Sequence, residues 1–280
     1  MKHRWMWLWL IIFSCLALAG TGPGAVRKQI ESTMLVTGTI DVKPDGHVST
    51  YSLDQVDKLP PGIVELVDGV VPAWTFEPVL VDGRHISARA GMTLRIVARK
   101  LEDQSYSIGI RSASFGEGGP GQGVRADKME APAYPTIAAK SGVAGTVYVV
   151  LRVGRDGRVH DAFAEQVNLK IVAGERQMDG WRGLLAHSAL AAAKRWSFIP
   201  PIAGNSTDEF WFARVPVAYD LESGRLPKYG QWETYVPGPR QVAPWLDHDE
   251  VAHAGIDASV AGTVSQVGKG LRLLTPLQAG

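Results

Sequence analysis

The chain carries one short motif twice, and an internal repeat constrains the architecture more than any single residue does. The first copy runs Ile40-Asp41-Val42-Lys43-Pro44-Asp45-Gly46-His47-Val48 and is followed by Trp74-Thr75-Phe76-Glu77-Pro78. The second runs Leu151-Arg152-Val153-Gly154-Arg155-Asp156-Gly157-Arg158-Val159 and is followed by Trp196-Ser197-Phe198-Ile199-Pro200. Asp45 and Asp156 lie 111 positions apart, Trp74 and Trp196 122, so the second unit holds 11 more residues, placed most simply within 167–181. The repeat predicts two similar domains rather than one large core, which suits a chain of 280 residues.

Each unit follows the same local plan. Val36, Gly38, Ile40 and Val42 alternate with Leu35, Thr37, Thr39 and Asp41, the pattern of a half-buried strand. Pro44-Asp45-Gly46 predicts a hairpin turn, with glycine supplying the positive φ, and His47 to Leu53 returns as a strand. Pro60-Pro61 opens a helix whose stripe is Ile63, Leu66, Val67, Val70 and Trp74, ended or kinked by Pro72. Residues 86–98 form the closing strand, and 106–115 add another. The second unit repeats this with strands at 146–153 and 158–164, a helix at 181–194, and a closing strand at 210–221 interrupted by Pro216. Proline has no N–H to donate, so that strand belongs at a sheet edge. Trp74 and Trp196 read as core anchors, and Arg152 and Arg158 as solvated flanks of the turn.

The first residues read as an export leader. Met1-Lys2-His3-Arg4 is basic, Trp5 to Leu18 is apolar, and Ala17-Leu18-Ala19 before Gly20 fits a small-residue cleavage site. The run through Gly20 spans 16 residues, under the ~20 that cross a bilayer, although an uncleaved anchor is the alternative. The single cysteine, Cys15, lies inside the leader, so the mature chain needs no disulfides. Net charge is +1, and −1 once Lys2 and Arg4 are removed, which gives no support for nucleic acid or an anionic membrane as partner.

Ala133 to Leu221 resembles the C-terminal domain of TonB, the energy transducer of Gram-negative outer-membrane transport. The elements that carry the resemblance are Tyr134-Pro135, the strand-Asp-Gly-strand hairpin, the helix running into Lys194-Arg195-Trp196-Ser197-Phe198-Ile199-Pro200, and Val215-Pro216-Val217. Residues 34–99 resemble a second, more diverged copy without the Tyr-Pro opening. The resemblance implies an α+β fold: two tandem small TonB-C-terminal-like domains, each a β-hairpin, helix and β-strand forming an antiparallel sheet. They would occupy 34–115 and 131–222, after a signal peptide or anchor at 1–19. A Gly/Pro-rich linker joins them at 116–130, and a mostly irregular tail follows at 223–280, packed back on the second domain.

It also implies that the last strand leaves an open edge that grips an extended receptor segment by strand addition. The partner-binding residues would be Tyr134, Pro135, Arg214, Val215, Val217 and Tyr219. The expected function is a periplasmic protein–protein interaction module linked to TonB-dependent transport. The alternative is a periplasmic scaffold or regulator of the same fold without energy transduction. Partners would be an outer-membrane receptor or other envelope protein, with inner-membrane motor proteins as further candidates. Residues 21–33 reach only ~45 Å fully extended, so the chain lacks the family's long arm. The tethered copies suggest either a homodimer or an intramolecular pairing in which the first domain caps the last strand of the second, against the alternative of two domains on a flexible string.

No cofactor is expected. Asp247-His248-Asp249-Glu250 with His253 is the one metal-like cluster, and it reads as a solvated loop because it lacks the His-x-x-x-His spacing of one helix face. There is no Gly-x-Ser-x-Gly elbow, and the glycines of 116–123 do not join a strand to a helix as a phosphate loop would. The chain is therefore not expected to be an enzyme.

Overall fold

The computed structural model describes residues 22–101, 103, 105–116, 123–201, 208–221, 228–246 and 255–277. The leader with Cys15, and the Asp247–Glu250 cluster with His253, lie outside them. A short helix, α1 (Pro23–Arg27), leads into β1 (Glu31–Val42), whose Met34, Val36, Ile40 and Val42 are buried on one side as their alternation requires. After the turn come β2 (Val48–Leu53) and α2 (Pro61–Val70), which buries Ile63 and Val67. Pro72 falls in a single 3₁₀ turn, Val71–Ala73, which ends the helix before Trp74. A small hairpin of β3 (Val79–Val81) and β4 (Arg84–Ile86) precedes two long strands, β5 (Ala88–Lys100) and β6 (Tyr106–Gly116).

The second half opens with β7 (Arg125–Lys128) and α3 (Thr136–Lys140), then the hairpin of β8 (Gly145–Gly154) and β9 (Val159–Leu169). Helix α4 (Glu175–Ala193) follows, then β10 (Ser197–Ile199) and β11 (Phe210–Tyr219). The additional residues of this unit are absorbed by a longer β9 and a longer helix that starts before Trp181. The tail contributes β12 (Glu233–Tyr235) and β13 (Ser265–Gln266).

The fold is α+β with antiparallel sheets. One sheet runs β12-β1-β5-β6 with β2 also on β1; the other runs β13-β11-β8-β9. Each has its own core. In the first half Val67, Trp74 and Phe76 pack on Ile40, Met92, Leu94 and Phe115. In the second, Met178, Leu185 and Trp196 pack on Val149, Leu151, Val215 and Phe198.

The repeated motif has a physical basis. Gly46 (φ +87°) and Gly157 (φ +74°) sit at the two turns, and a Cβ on either would lie 2.1 Å from the carbonyl oxygen of Phe76 or Phe198. That closeness lets the N–H of Phe76 donate to Gly46 O and the N–H of Phe198 to Gly157 O, each at 2.8 Å. The Asp-Gly turn and the Trp-x-Phe segment recur together because they are hydrogen-bonded to each other.

Two expectations change. The stretch expected as a linker at 116–130 contributes a strand: Arg125–Lys128 pairs with Ser197–Ile199, giving the segment after Trp196 a partner. The described residues of the tail, mostly without regular structure, stitch both halves instead of packing on the second alone. β12 pairs with Glu31–Thr33 of β1, and the next residue, Val236, bridges to Leu169 of β9. Later, Glu77 N–H donates to Arg272 O and Leu274 N–H to Thr75 O, while Leu271, Leu273 and Leu277 pack on the first core. The two sheets meet through the faces turned away from their helices, where Arg95 donates to Tyr148 Oη at 3.2 Å.

Candidate functional site

The outer edge of β11 is completed differently from the corresponding edge in the first half. Its Trp211, Ala213, Val215, Val217 and Tyr219 side chains are buried. The carbonyls of Phe212 and Pro216 face away from β8 and accept bonds from the tail: Val267 N–H to Phe212 O and Gly262 N–H to Pro216 O, both 2.8 Å. Pro216 sits where its missing N–H disrupts no ladder bond, since that side of the strand faces the edge. Ala213 pairs with Gln266 and Arg214 with Ser265. The tail therefore lies on β11 as an added antiparallel strand.

The first half shows the same position filled differently. Ile40 and Leu151 are equivalent by the repeat; they pair with Ala90 and Ala213 respectively. Gly91 then corresponds to Arg214, and Gly91 pairs with Gly116 of β6 where Arg214 pairs with Ser265. β6 spans ten residue pairs on β5, whereas β13 supplies two on β11. The expected open edge on the last strand is thus corrected: the chain's own residues 262–267 cover it. The tail, not the first domain, does the capping.

The six residues expected to bind a partner are placed as follows. Arg214 is buried and forms a bidentate pair with the fully buried Glu165, Nε to Oε2 at 2.6 Å and Nη2 to Oε1 at 2.8 Å. Glu165 is the extra residue of a β-bulge between the Tyr148 and Val149 positions, and the bulge aims its carboxylate at Arg214. Val215, Val217 and Tyr219 are in the second core, with Tyr219 Oη donating to Leu185 O at 3.2 Å. Tyr134 donates to Val143 O and packs edge-on against Tyr219, ring centres 5.3 Å apart. Pro135 immediately precedes α3. Burial raises the pKa of both tyrosine hydroxyls, so they remain donors. Tyr134 and Tyr219 come together in one core contact, while the Arg214 guanidinium is turned to the opposite face. None of the Arg214, Val215, Val217 or Tyr219 side chains is exposed along the edge, because sheet packing uses them first.

A buried polar network between the sheets was not apparent in the sequence. Asp257, fully buried in the tail, accepts from Ser112 Oγ at 2.6 Å and faces Arg111 Nη2 at 3.3 Å. Its main-chain oxygen takes two bonds from Arg95, which also donates to Thr33 Oγ1 at 3.1 Å. Arg111 also pairs with Glu31, and Arg111 is itself the extra residue of a bulge between β5 and β6. Burial pushes the Asp257 carboxyl up, but Arg95, Arg111, the Ser112 bond and Arg240 outweigh it and hold the pKa below its ordinary value. The one sequence signal available was a charged residue interrupting an apolar strand, as Arg95 does between Leu94 and Ile96.

Beside this network lies a cleft of about 410 Å³, lined among others by Leu35, Tyr148, Lys170, Ala218, Tyr229 and Tyr235. It begins where the tail leaves β11. Its Lys170 is held by Glu233 at 2.7 Å and Asp220 at 3.7 Å. Among the described residues no three His, Cys, Asp or Glu side chains gather as metal ligands, and no helix is long and apolar enough to cross a membrane. Comparison with protein-family models, curated proteins and solved structures returned no match.

Proposed function

We propose that the chain is a protein-recognition module that takes an extended segment of a partner onto the outer edge of β11 by strand addition. The observation that supports this reading is the tail strand: main-chain groups of Phe212, Arg214 and Pro216 already carry an added antiparallel segment. An edge that accepts one extended segment offers the same donors and acceptors to another. The reading extends to two tandem TonB-C-terminal-like domains, exported to the periplasm, whose partner is an outer-membrane receptor or another envelope protein. No cofactor or catalytic group enters it. The covered edge favours a second reading as well, a periplasmic scaffold or regulator of the same fold whose edge stays closed.

A disulfide between Ala213→Cys and Gln266→Cys separates the two. These residues are directly opposed without sharing main-chain bonds, a spacing of ~4.5 Å that a disulfide spans. Displayed random decapeptides would be selected on the chain in its reduced and its locked form. Peptides enriched on the reduced form and absent from the locked form support strand addition at β11. Identical enrichment on both forms overturns it, and no enrichment on either favours the closed scaffold.

A further inference from the structure

The tail strand is also informative about what it displaces. Gly262-Thr263-Val264-Ser265-Gln266-Val267 contains no charge. Its side chains alternate as an added strand's should. Val264 packs on the core beneath α4, and Val267 is buried on the opposite face among Val150, Ala243 and Leu246. Gln266 lies on the Val264 side and accepts from Val124 N–H at 3.0 Å. Glycines with left-handed backbone bound the segment, Gly262 at φ +78° and Gly268 at φ +74°, so both ends turn sharply away from the edge. Beyond β13 the chain is held to the first half through Leu271, Leu273 and Leu277. The segment is short, uncharged, glycine-bounded and anchored at both sides, and it occupies the position that a ten-pair strand fills in the other half.

We propose that residues 262–267 are an intramolecular stand-in for the partner, and that the partner is an extended uncharged segment with two apolar side chains three residues apart, matching Val264 and Val267. This rests on the strand-addition reading of β11. It adds the chemistry of what is recognised and the device that keeps the edge occupied until a partner arrives. A partner longer than the tail strand can pair along the rest of β11, as β6 does along β5, and its extra main-chain bonds drive the exchange. A tethered competitor lowers the apparent affinity for an outside segment in proportion to the fraction of time the edge is open.

The test uses the full chain and three synthetic peptides. One has the sequence of residues 259–268, one carries aspartate at the places of Val264 and Val267, and one is a scrambled neutral peptide. Binding is read by fluorescence anisotropy on the wild type, on Val264→Asp/Val267→Asp, and on the milder Val267→Ala, with near-ultraviolet circular dichroism verifying packing. The proposal expects the first peptide to bind both variants at least about tenfold tighter than the wild type, and the other two peptides to bind none of the three proteins. Equal binding of all three peptides to the loosened variants overturns the recognition chemistry while leaving strand addition at β11 in place. No binding of any peptide to a folded loosened variant overturns the strand-addition reading itself. Dimerisation of the loosened variant with unchanged peptide affinity assigns the edge to a second copy and overturns the proposal.

Discussion

Gly157→Ala tests whether the repeated motif is a packing device. Gly157 has φ +74°, and a Cβ would stand 2.1 Å from the Phe198 carbonyl oxygen. A residue with a Cβ in this conformation costs about 1–2 kcal/mol. The obstacle is main chain, so no side-chain rotation relieves it. β10 must shift, and the 2.8 Å bond from Phe198 N–H to Gly157 O goes with it, worth about 0.5–1.5 kcal/mol. The expected loss is therefore about 1.5–3.5 kcal/mol before any loosening of Trp196 and Phe198 beside it. Gly83 supplies the control, with the same φ of +74° and no atom within 4 Å of its would-be Cβ. Gly83→Ala should cost only the conformational part, about 1–2 kcal/mol. Urea denaturation followed by tryptophan fluorescence measures both on the full chain. Gly46→Ala, whose Cβ would meet Phe76 O at 2.1 Å, should match Gly157→Ala. A loss for Gly157→Ala no greater than that for Gly83→Ala would refute the argument.

Three further outcomes are expected. Glu165→Gln leaves the Arg214 guanidinium buried without its counter-charge and should destabilise by about 3–5 kcal/mol, whereas Glu165→Leu with Arg214→Met should be near neutral; thermal melts of the single and double variants decide. Asp257 has a folded pKa below its unfolded value, so its stabilisation is complete above about pH 4 and drains away as pH falls through the lowered folded value. Asp257→Asn should lower stability at pH 7 and flatten the acid limb of melting temperature against pH; an unchanged acid limb contradicts the assignment. Tyr229→Phe removes the hydroxyl that bonds Thr37 N–H at 3.1 Å and donates to Thr37 O at 3.2 Å. It should cost about 1–2 kcal/mol by urea titration, and a silent change would show that this tail contact is dispensable.

The elements that sequence made legible are those set by local chemistry. Alternation located β1 and β8, Asp-Gly located both turns, and Pro72 located the end of α2. What stayed hidden depends on distant pairing. Nothing in Arg125–Lys128 announces a strand, because its partner Ser197–Ile199 lies some 70 residues away and supplies the reason for its extension. The two-residue β13 is likewise extended by β11 and not by its own composition. Arg214 was selected for its place on the last strand, but the decisive residue is Glu165, which only a bulge in β9 turns toward it. Asp257 is the sharpest case. In sequence it is one carboxylate between Ile256 and Ala258; in the fold it meets Arg95 and Ser112, 162 and 145 positions away.

The difference between the two halves lies in how a shared deficit is met. A hairpin, a helix and one more strand leave the far side of that last strand with unpaired main-chain groups, which need partners. The first half answers with β6, the next strand in sequence, over ten pairs. The second half answers with a segment more than 40 residues downstream of β11, over two pairs. Sequence distance does not explain the weaker cover, since loop closure adds only ~0.6 kcal/mol for each doubling of loop length. Chain composition does: Gly262 and Gly268 end the segment on either side, so the pairing cannot lengthen without rebuilding its turns. The same tail is held far more firmly elsewhere, at Glu233–Tyr235 between the sheets and at Asp257 in the buried network. Opening β11 therefore requires releasing a few main-chain bonds, the Val264 and Val267 side chains and the Gln266–Val124 bond, while the two halves stay joined through the network. The cover of β11 is the part of the tail that can be exchanged without dismantling the rest.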